Sequence, residues 1–211
     1  MKEPAPSSSL QLRRVLRKAR RALTQIEQRR AAQGLYRQLA QNTIFRRAKH
    51  IALYLPTDGE IDPRLLMHAA QRRGKATYLP VLSACTQTKM VFQRVLPRDK
   101  LFPNRFRILE PRLNVQRQRK VWALDLVLLP LVGFDDVGGR LGRGSGFYDR
   151  RLAYLAGRQH WRKPILLGLA HECQKVDRLA QSNWDVALAG TVTDKQWYVA
   201  EISSRVSDAL K

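Results

Sequence analysis

The residues best suited to chemistry lie in one run, GFDDVGGRLGRGSGFYDRR, from Gly133 to Arg151. Gly138, Gly139, Gly142, Gly144 and Gly146 stand between an apolar segment and a helical pattern that begins near Phe147. Glycine permits a positive φ and lets the backbone come close to a ligand, and amides exposed at a helix start bind anions. Arg140, Arg143 and Arg150 add guanidinium groups to the same stretch, which suits phosphate oxygens through charge-assisted hydrogen bonds. The run lacks the Lys-Ser/Thr pair of a Walker loop and the full GxGxxG of a dinucleotide fold. It therefore points to an anionic phosphate compound without specifying one, and the alternative is a plain flexible connection.

Three acids stand out beside that loop. Glu60, in LPTDGEID, follows a strand pattern and precedes a helix start, where binding groups gather in open α/β sheets. It could orient an amine-bearing ligand, or it could be a solvated acid favoured by the helix dipole. Asp149 and Asp185 are candidates for magnesium, which takes one or two carboxylates together with waters and substrate phosphates; the alternative for each is a surface acid. His50, His68, His160 and His171 show no HExxH spacing, and no Ser-His-Asp or Cys-His arrangement is defensible, so they receive no role.

The elements that must position these residues are legible in the pattern. Leu12, Leu16, Ala19 and Leu23 make one apolar helical stripe, with Arg13, Arg14, Arg17, Arg20 and Arg21 on the other faces. Thr24 to Glu27 has capping-box spacing and predicts a second helix through Leu39. Residues 50–56 and 76–82 read as strands around a helix between Asp62-Pro63 and Gly74, a strand-helix-strand unit of the kind that makes parallel sheets. Residues 89–96 give a shorter strand, and 97–120, with three prolines, an irregular stretch or flap. Residues 124–132 are nearly all apolar, as expected of a central strand buried on both faces. Residues 165–170 and 190–193 are further strand candidates.

At 211 residues the chain suits one domain, from residue 10 to 211, behind a disordered lead-in over residues 1–9 that is rich in Pro and Ser. No window approaches the roughly 20 apolar residues of a membrane span, and the two cysteines, Cys85 and Cys173, form neither a CxxC nor a zinc spacing. A cytoplasmic location without an export signal is the expectation. The net charge is +22, from 39 Lys and Arg against 17 Asp and Glu. Charge bears on partners more than on fold. Without a zinc-finger, basic-zipper or RNP motif to direct it, it leaves nucleic acid as a second class of partner beside small polyanions.

The segments LYLPTDGEID, FRILEP, LDLVLLPLVGFD, GGRLGRGSGFYDRRL and LAHECQKVDRLAQSNWDVAL, in this order and spacing, resemble the 5-formyltetrahydrofolate cyclo-ligase family, also called 5,10-methenyltetrahydrofolate synthetases. The resemblance covers most of residues 12–195. It implies an ATP- and magnesium-dependent closure of 5-formyltetrahydrofolate to 5,10-methenyltetrahydrofolate with release of ADP and phosphate, on a three-layer α/β sandwich with a largely parallel central sheet, like sugar-phosphate isomerases and CoA transferases. It implies ATP contacts for Arg13 and for Arg140, Leu141, Gly142, Arg143, Gly144, Ser145, Gly146, Phe147 and Tyr148, with Arg143, Gly144 and Ser145 carrying the catalysis. Residues 143–147 would be shared with folate, Leu55 and Glu60 would also touch folate, and Asp149 and Asp185 would hold magnesium. The chain is expected to work as a monomer on these small molecules. It departs from the family in carrying Ser9 where many members have a lysine and Ser145 where bacterial members often have glycine.

Overall fold

The computed structural model describes residues 9–82, 90–144, 146–153, 164–179, 186 and 188–199. Period-two alternation sets the layering: in β7, Leu126–Pro130, the side chains of Leu126 and Leu128 enter one core while Val127 and Leu129 enter another. A strand buried on both faces needs a cover on each side. On one side the cover is α2, Gln25–Ala40, and α4, Arg64–Arg72, through Leu35, Leu39, Leu66 and Ala70. On the other, Leu152 of α5, Phe147–Leu152, packs with Val127, Leu129 and Leu166. The result is the three-layer α/β arrangement.

The main sheet has eight strands in the order β12-β11-β10-β7-β1-β2-β3-β6. Its middle, β11 (Gly190–Val192), β10 (Ile165–Leu169), β7, β1 (His50–Ala52) and β2 (Ala76–Leu82), is parallel throughout. Antiparallel strands finish both edges: β3 (Met90–Val95) with β6 (Gln118–Arg119), and β12 (Trp197–Val199). The central strand, the 76–82 strand and the capping box at Thr24 stand where the pattern put them.

Three expectations are corrected. The strand at 50–56 keeps ladder pairing only over His50–Ala52, because the chain then leaves the sheet for the turn that carries Glu60. The stretch 97–120 is not mostly irregular: β4 (Leu101–Pro103) and β5 (Leu109–Pro111) form an antiparallel hairpin, and β6 follows. Ser9, expected in the lead-in, is the first residue of α1, Ser9–Arg21. Two further elements, the hairpin of β8 (Gly133–Phe134) with β9 (Arg140–Leu141) and the edge strand β12, had no signal in the pattern. The edge strand is tied to α2, since Trp197 Nε1 donates to the Gln38 carbonyl at 3.3 Å and Gln38 Nε2 to the Lys195 carbonyl at 2.6 Å.

Helix α1 lies outside these layers, over the loops. Leu16 packs with Val132, Leu141 and Leu179, so the apolar stripe is used as expected. Arg20 is not: it is fully buried, where the pattern placed it on a solvated face. Among the described residues no helix is long and apolar enough to cross a membrane.

Candidate active site

Strands β1 and β7 are neighbours, yet the chain runs from β1 outward to β2 on one side and returns through β7 to β10 on the other. Ligands in open α/β sheets bind beyond the carboxyl ends of the strands at such a reversal of order. Here the turn after β1 and the loop after β7 face each other across a cleft of about 630 Å³, a volume in the range of small-molecule sites.

The turn after β1 is built by its own hydrogen bonds. Asp58 sits at φ 56° and Gly59 at φ 74°, and the Glu60 amide bonds back to the Thr57 carbonyl at 3.1 Å. Arg20 locks this turn to α1 and to β7: Nε donates to the Asp58 carbonyl at 2.8 Å, Nη2 to Asp58 Oδ2 at 2.7 Å, and Nη1 to the Leu131 carbonyl at 3.2 Å. Desolvation works to raise the Asp58 carboxyl, but the hydrogen bonds and charges of Arg20 and Arg21 outweigh it and hold it below the usual carboxylate range. His171, buried beneath, places Nε2 at 3.2 Å from the Gly59 carbonyl. Burial pushes its pKa down, which fits a neutral ring donating from Nε2. It supports the turn, and no catalytic role falls to it.

The loop after β7 is shaped by Asp135. Its Oδ1 accepts from the amides of Gly139 at 2.6 Å and Val137 at 3.2 Å, and its Oδ2 from that of Leu179 at 3.0 Å. Further on, Gly144 and Gly146 stand at φ 94° and 64°, a region closed to most side chains, so the expected need for glycine is met at these two positions. From α1, Arg13 Nε donates to the Gly142 carbonyl at 2.9 Å and Arg17 Nη2 to the Arg143 carbonyl at 3.1 Å.

Glu60 and Arg143 meet across the cleft floor. Arg143 Nε lies 2.9 Å and Nη2 2.7 Å from Glu60 Oε1, while Glu60 Oε2 accepts from the Thr57 amide at 3.1 Å. Arg143 also donates to the Thr57 hydroxyl. Glu60 is buried, which removes the solvated-acid alternative. Tyr148 stands beside this pair: burial pushes its hydroxyl well up, the Glu60 carboxylate adds to that, and the phenol is neutral. Arg140 pairs with Asp149.

The wall of the cleft is mixed in character. Arg17, Arg21, Asp58, Arg143 and Glu60 form one charged group joined by mutual contacts, Arg140 and Asp149 make a separate pair, and Leu79, Leu82, Met90, Ile108, Leu109 and Phe147 supply apolar lining. Of the residues singled out from sequence, Leu55, Glu60, Arg140, Gly142, Arg143, Gly146, Phe147, Tyr148 and Asp149 are brought together on its wall. Gly144 is exposed beside Arg13. Leu141 is turned into the packing under α1, and its carbonyl accepts from the Val132 amide at 2.8 Å. Ser145 and Asp185 lie outside the described residues.

Several wall residues were not anticipated: Arg17, Arg21, Thr57, Asn104, Phe106 and Glu110. The hairpin of β4 and β5 brings the last three, with Glu110 Oε2 accepting from Asn104 Nδ2 at 2.9 Å and from the Leu82 amide at 3.1 Å. The only sequence signal for them was the FRILEP segment, which marks the place without showing that it folds over the cleft.

Fold and site together define an open-sheet α/β protein with a small-molecule cleft at its switch point, lined by both charged and apolar side chains. Residues 6–194 match the model of the 5-formyltetrahydrofolate cyclo-ligase family. The chain is similar to the 5-formyltetrahydrofolate cyclo-ligase of Haemophilus influenzae, 41% identical over 180 residues that cover 84% of this chain and 93% of that one. It is 37% identical to the Escherichia coli K12 protein of the same name, over 87% and 99% of the two chains. Among solved structures, the 5,10-methenyltetrahydrofolate synthetase of Aquifex aeolicus superposes with a TM-score of 0.77 at 28% identity, covering 92% of this chain and 93% of that one. That of Mycoplasma pneumoniae gives 0.68 at 27%, covering 89% and 99%. The chain belongs to the 5-formyltetrahydrofolate cyclo-ligase family.

Proposed function

We propose that this protein uses ATP to cyclise 5-formyltetrahydrofolate to 5,10-methenyltetrahydrofolate, releasing ADP and phosphate. The observation that carries the reading is one cleft whose wall combines a group of guanidinium side chains, including the Arg143 and Glu60 pair, with a broad apolar lining. A nucleotide triphosphate and a pterin ring ask for those two kinds of surface. The γ-phosphoryl group passes to the formyl oxygen, ADP leaves, N10 attacks the activated formyl carbon, and the phosphate departs with that oxygen and takes up the N10 proton as the ring closes.

Each step needs placement and charge neutralisation more than a protein nucleophile. Arg143, held by Glu60 and Thr57, stands where it can neutralise charge developing on the transferring group. Gly142, Gly144 and Gly146 let the loop backbone approach the phosphates. Leu55, Phe147 and the apolar wall hold the ring and exclude water. Arg13 is proposed to contact ATP with the donors left over once Nε grips the Gly142 carbonyl and Nη1 the Ser9 hydroxyl; Arg140 and Tyr148 complete the wall. Magnesium, when bound, supplies Lewis-acid charge to the phosphate oxygens. Asp149 lines the cleft and offers a hard carboxylate whose Oδ1 is shared with Arg140, and magnesium held by phosphates and water takes only one or two such ligands. Asp185 is proposed as the second. We place the reaction in the cytoplasm and assign it to a single copy of the chain, residues 10–211 forming one domain.

The test is direct. Purified protein mixed with 5-formyltetrahydrofolate, ATP and magnesium is expected to generate the methenyl chromophore, with loss of the signal when ATP is omitted or EDTA is added. Absence of the chromophore, with tight binding of RNA in its place, overturns the reading in favour of a nucleic-acid partner.

A further inference from the structure

The guanidinium groups around Asp58, Glu60 and Asp149 are not equally matched with acids. Arg143 has Glu60 and Arg140 has Asp149. Asp58 serves three cations: Arg20 and Arg21 in direct contact, and Arg17 at 3.9 Å from Nε to Oδ2, too far for a hydrogen bond. Of the three, Arg17 holds the weakest share of that acid.

Its donors are also under-used. Arginine carries five N–H groups. Among the described residues the Arg17 guanidinium makes one hydrogen bond, from Nη2 to the Arg143 carbonyl at 3.1 Å, and its Nε is buried with no acceptor. A buried donor without a partner costs free energy that a ligand atom can restore. The surroundings point the same way: burial lowers the pKa of Arg17, and of its charged neighbours Asp58 works against that while Arg20, Arg143 and Arg21 add to it. An anion at this spot would relieve both the desolvation and the repulsion.

Position completes the case. Arg13 and Arg17 are one helical turn apart on α1 and so share a face, and each grips one carbonyl of the loop, at Gly142 and Arg143. Arg17 also lines the cleft. We infer that Arg17 is a phosphate-binding residue: while its Nη2 holds the loop at Arg143, its remaining donors take an oxygen of the nucleotide's phosphate chain. The inference deepens the reading above by naming which residue of α1 meets the anion. The same donors would also suit the carboxylates of the folate glutamate, and phosphate is favoured because Arg17 is bonded to the glycine-rich loop at the Arg143 carbonyl.

The experiment compares wild type, Arg17→Gln and Arg17→Lys by calorimetry with inorganic tripolyphosphate and with glutamate, and then by cyclisation kinetics. Arg17→Gln should weaken tripolyphosphate binding and raise KM for ATP by about tenfold or more, the scale of a lost charge-assisted hydrogen bond. KM for 5-formyltetrahydrofolate should stay within about twofold. Arg17→Lys keeps the charge without the fork and should fall between. Tripolyphosphate affinity and KM for ATP that do not change in either variant overturn the inference. A fall in kcat or melting temperature alone does the same, since it marks a purely structural grip on the Arg143 carbonyl. A rise confined to KM for the folate assigns Arg17 to the glutamate and also overturns it. If Arg17→Gln does not fold, Arg17→Lys decides. The calorimetric arm needs no turnover: tripolyphosphate binding that depends on Arg17 in a protein that forms no chromophore would sustain this inference while removing the proposed reaction.

Discussion

Asp58 and Glu60 stand two residues apart on one turn, each paired with an arginine, and the two pairs are sealed from opposite sides. In the first the cation is sealed: the Arg20 side chain is 0% exposed and that of Asp58 25%. In the second the acid is sealed: Glu60 is 3% exposed and Arg143 30%. A sealed guanidinium has no face to offer a ligand, and its hydrogen bonds among the described residues go to Asp58 and the Leu131 carbonyl. A sealed carboxylate with an open guanidinium does the reverse, fixing the direction of Arg143 while leaving it in the cleft. Which partner is covered, more than the presence of an ion pair, separates a structural pair from one available for chemistry.

The largest expected effect follows from the sealed cation. Arg20→Ala leaves Asp58 without its main partner and the Leu131 carbonyl without a donor, and should cost about 3 kcal/mol of unfolding free energy, measured by denaturant titration. The pair also sets an acid limit. The folded pKa of Asp58 is lowered below an unfolded value of about 3.9, so its contribution is complete above that value and is lost as pH falls through the folded pKa. Stability between pH 5 and 2 should therefore fall less steeply in Arg20→Ala than in wild type. A small, pH-independent loss would make the two pairs alike and break the comparison.

Glu60→Gln should act on rate before stability. With a neutral amide in place of the carboxylate, Arg143 loses its orienting charge, and kcat/KM should drop by about tenfold for both substrates. Read from sequence, Glu60 concerned folate alone; contact with Arg143 joins it to the phosphate side. A loss seen only with varied folate would separate the two residues. The smallest effect belongs to Arg21→Ala. Arg21 pairs with the same carboxylate as Arg20 but its side chain is 60% exposed, so its removal should cost about 0.2–1 kcal/mol, and high salt should erase the difference. Equal losses for Arg20→Ala and Arg21→Ala would show that cover does not matter here.

What could be read in advance depended on whether the cause was local. The strand at 76–82, the capping box of Thr24 and Glu27, and the buried central strand are set by neighbours in sequence, and they stand as expected. The glycine loop and Glu60 were found because glycine and acid at strand ends have few other uses. Arg20 was not, because in RKARR it differs from its neighbours only in what lies above it after folding. Asp135 resembles Asp136 until the loop curls back to place three amides around it. The β4 and β5 hairpin hid behind prolines at the ends of two three-residue strands, too short for alternation to show. In each case the deciding partner is distant in sequence or brought close by an irregular loop.

The docking of α1 sets an order of events during synthesis. Arg13, Arg17 and Arg20 of this early helix find their acceptors 129, 126 and 111 residues later, at Gly142, Arg143 and Leu131. Closing such long loops is entropically costly and comes after local structure has formed. The helix leaves the ribosome early and waits, amphipathic and strongly basic, until β7 and its loop exist to receive it. A growing chain can thus assemble the β1, α4 and β2 unit well before the loop exists that Arg13 and Arg17 grip.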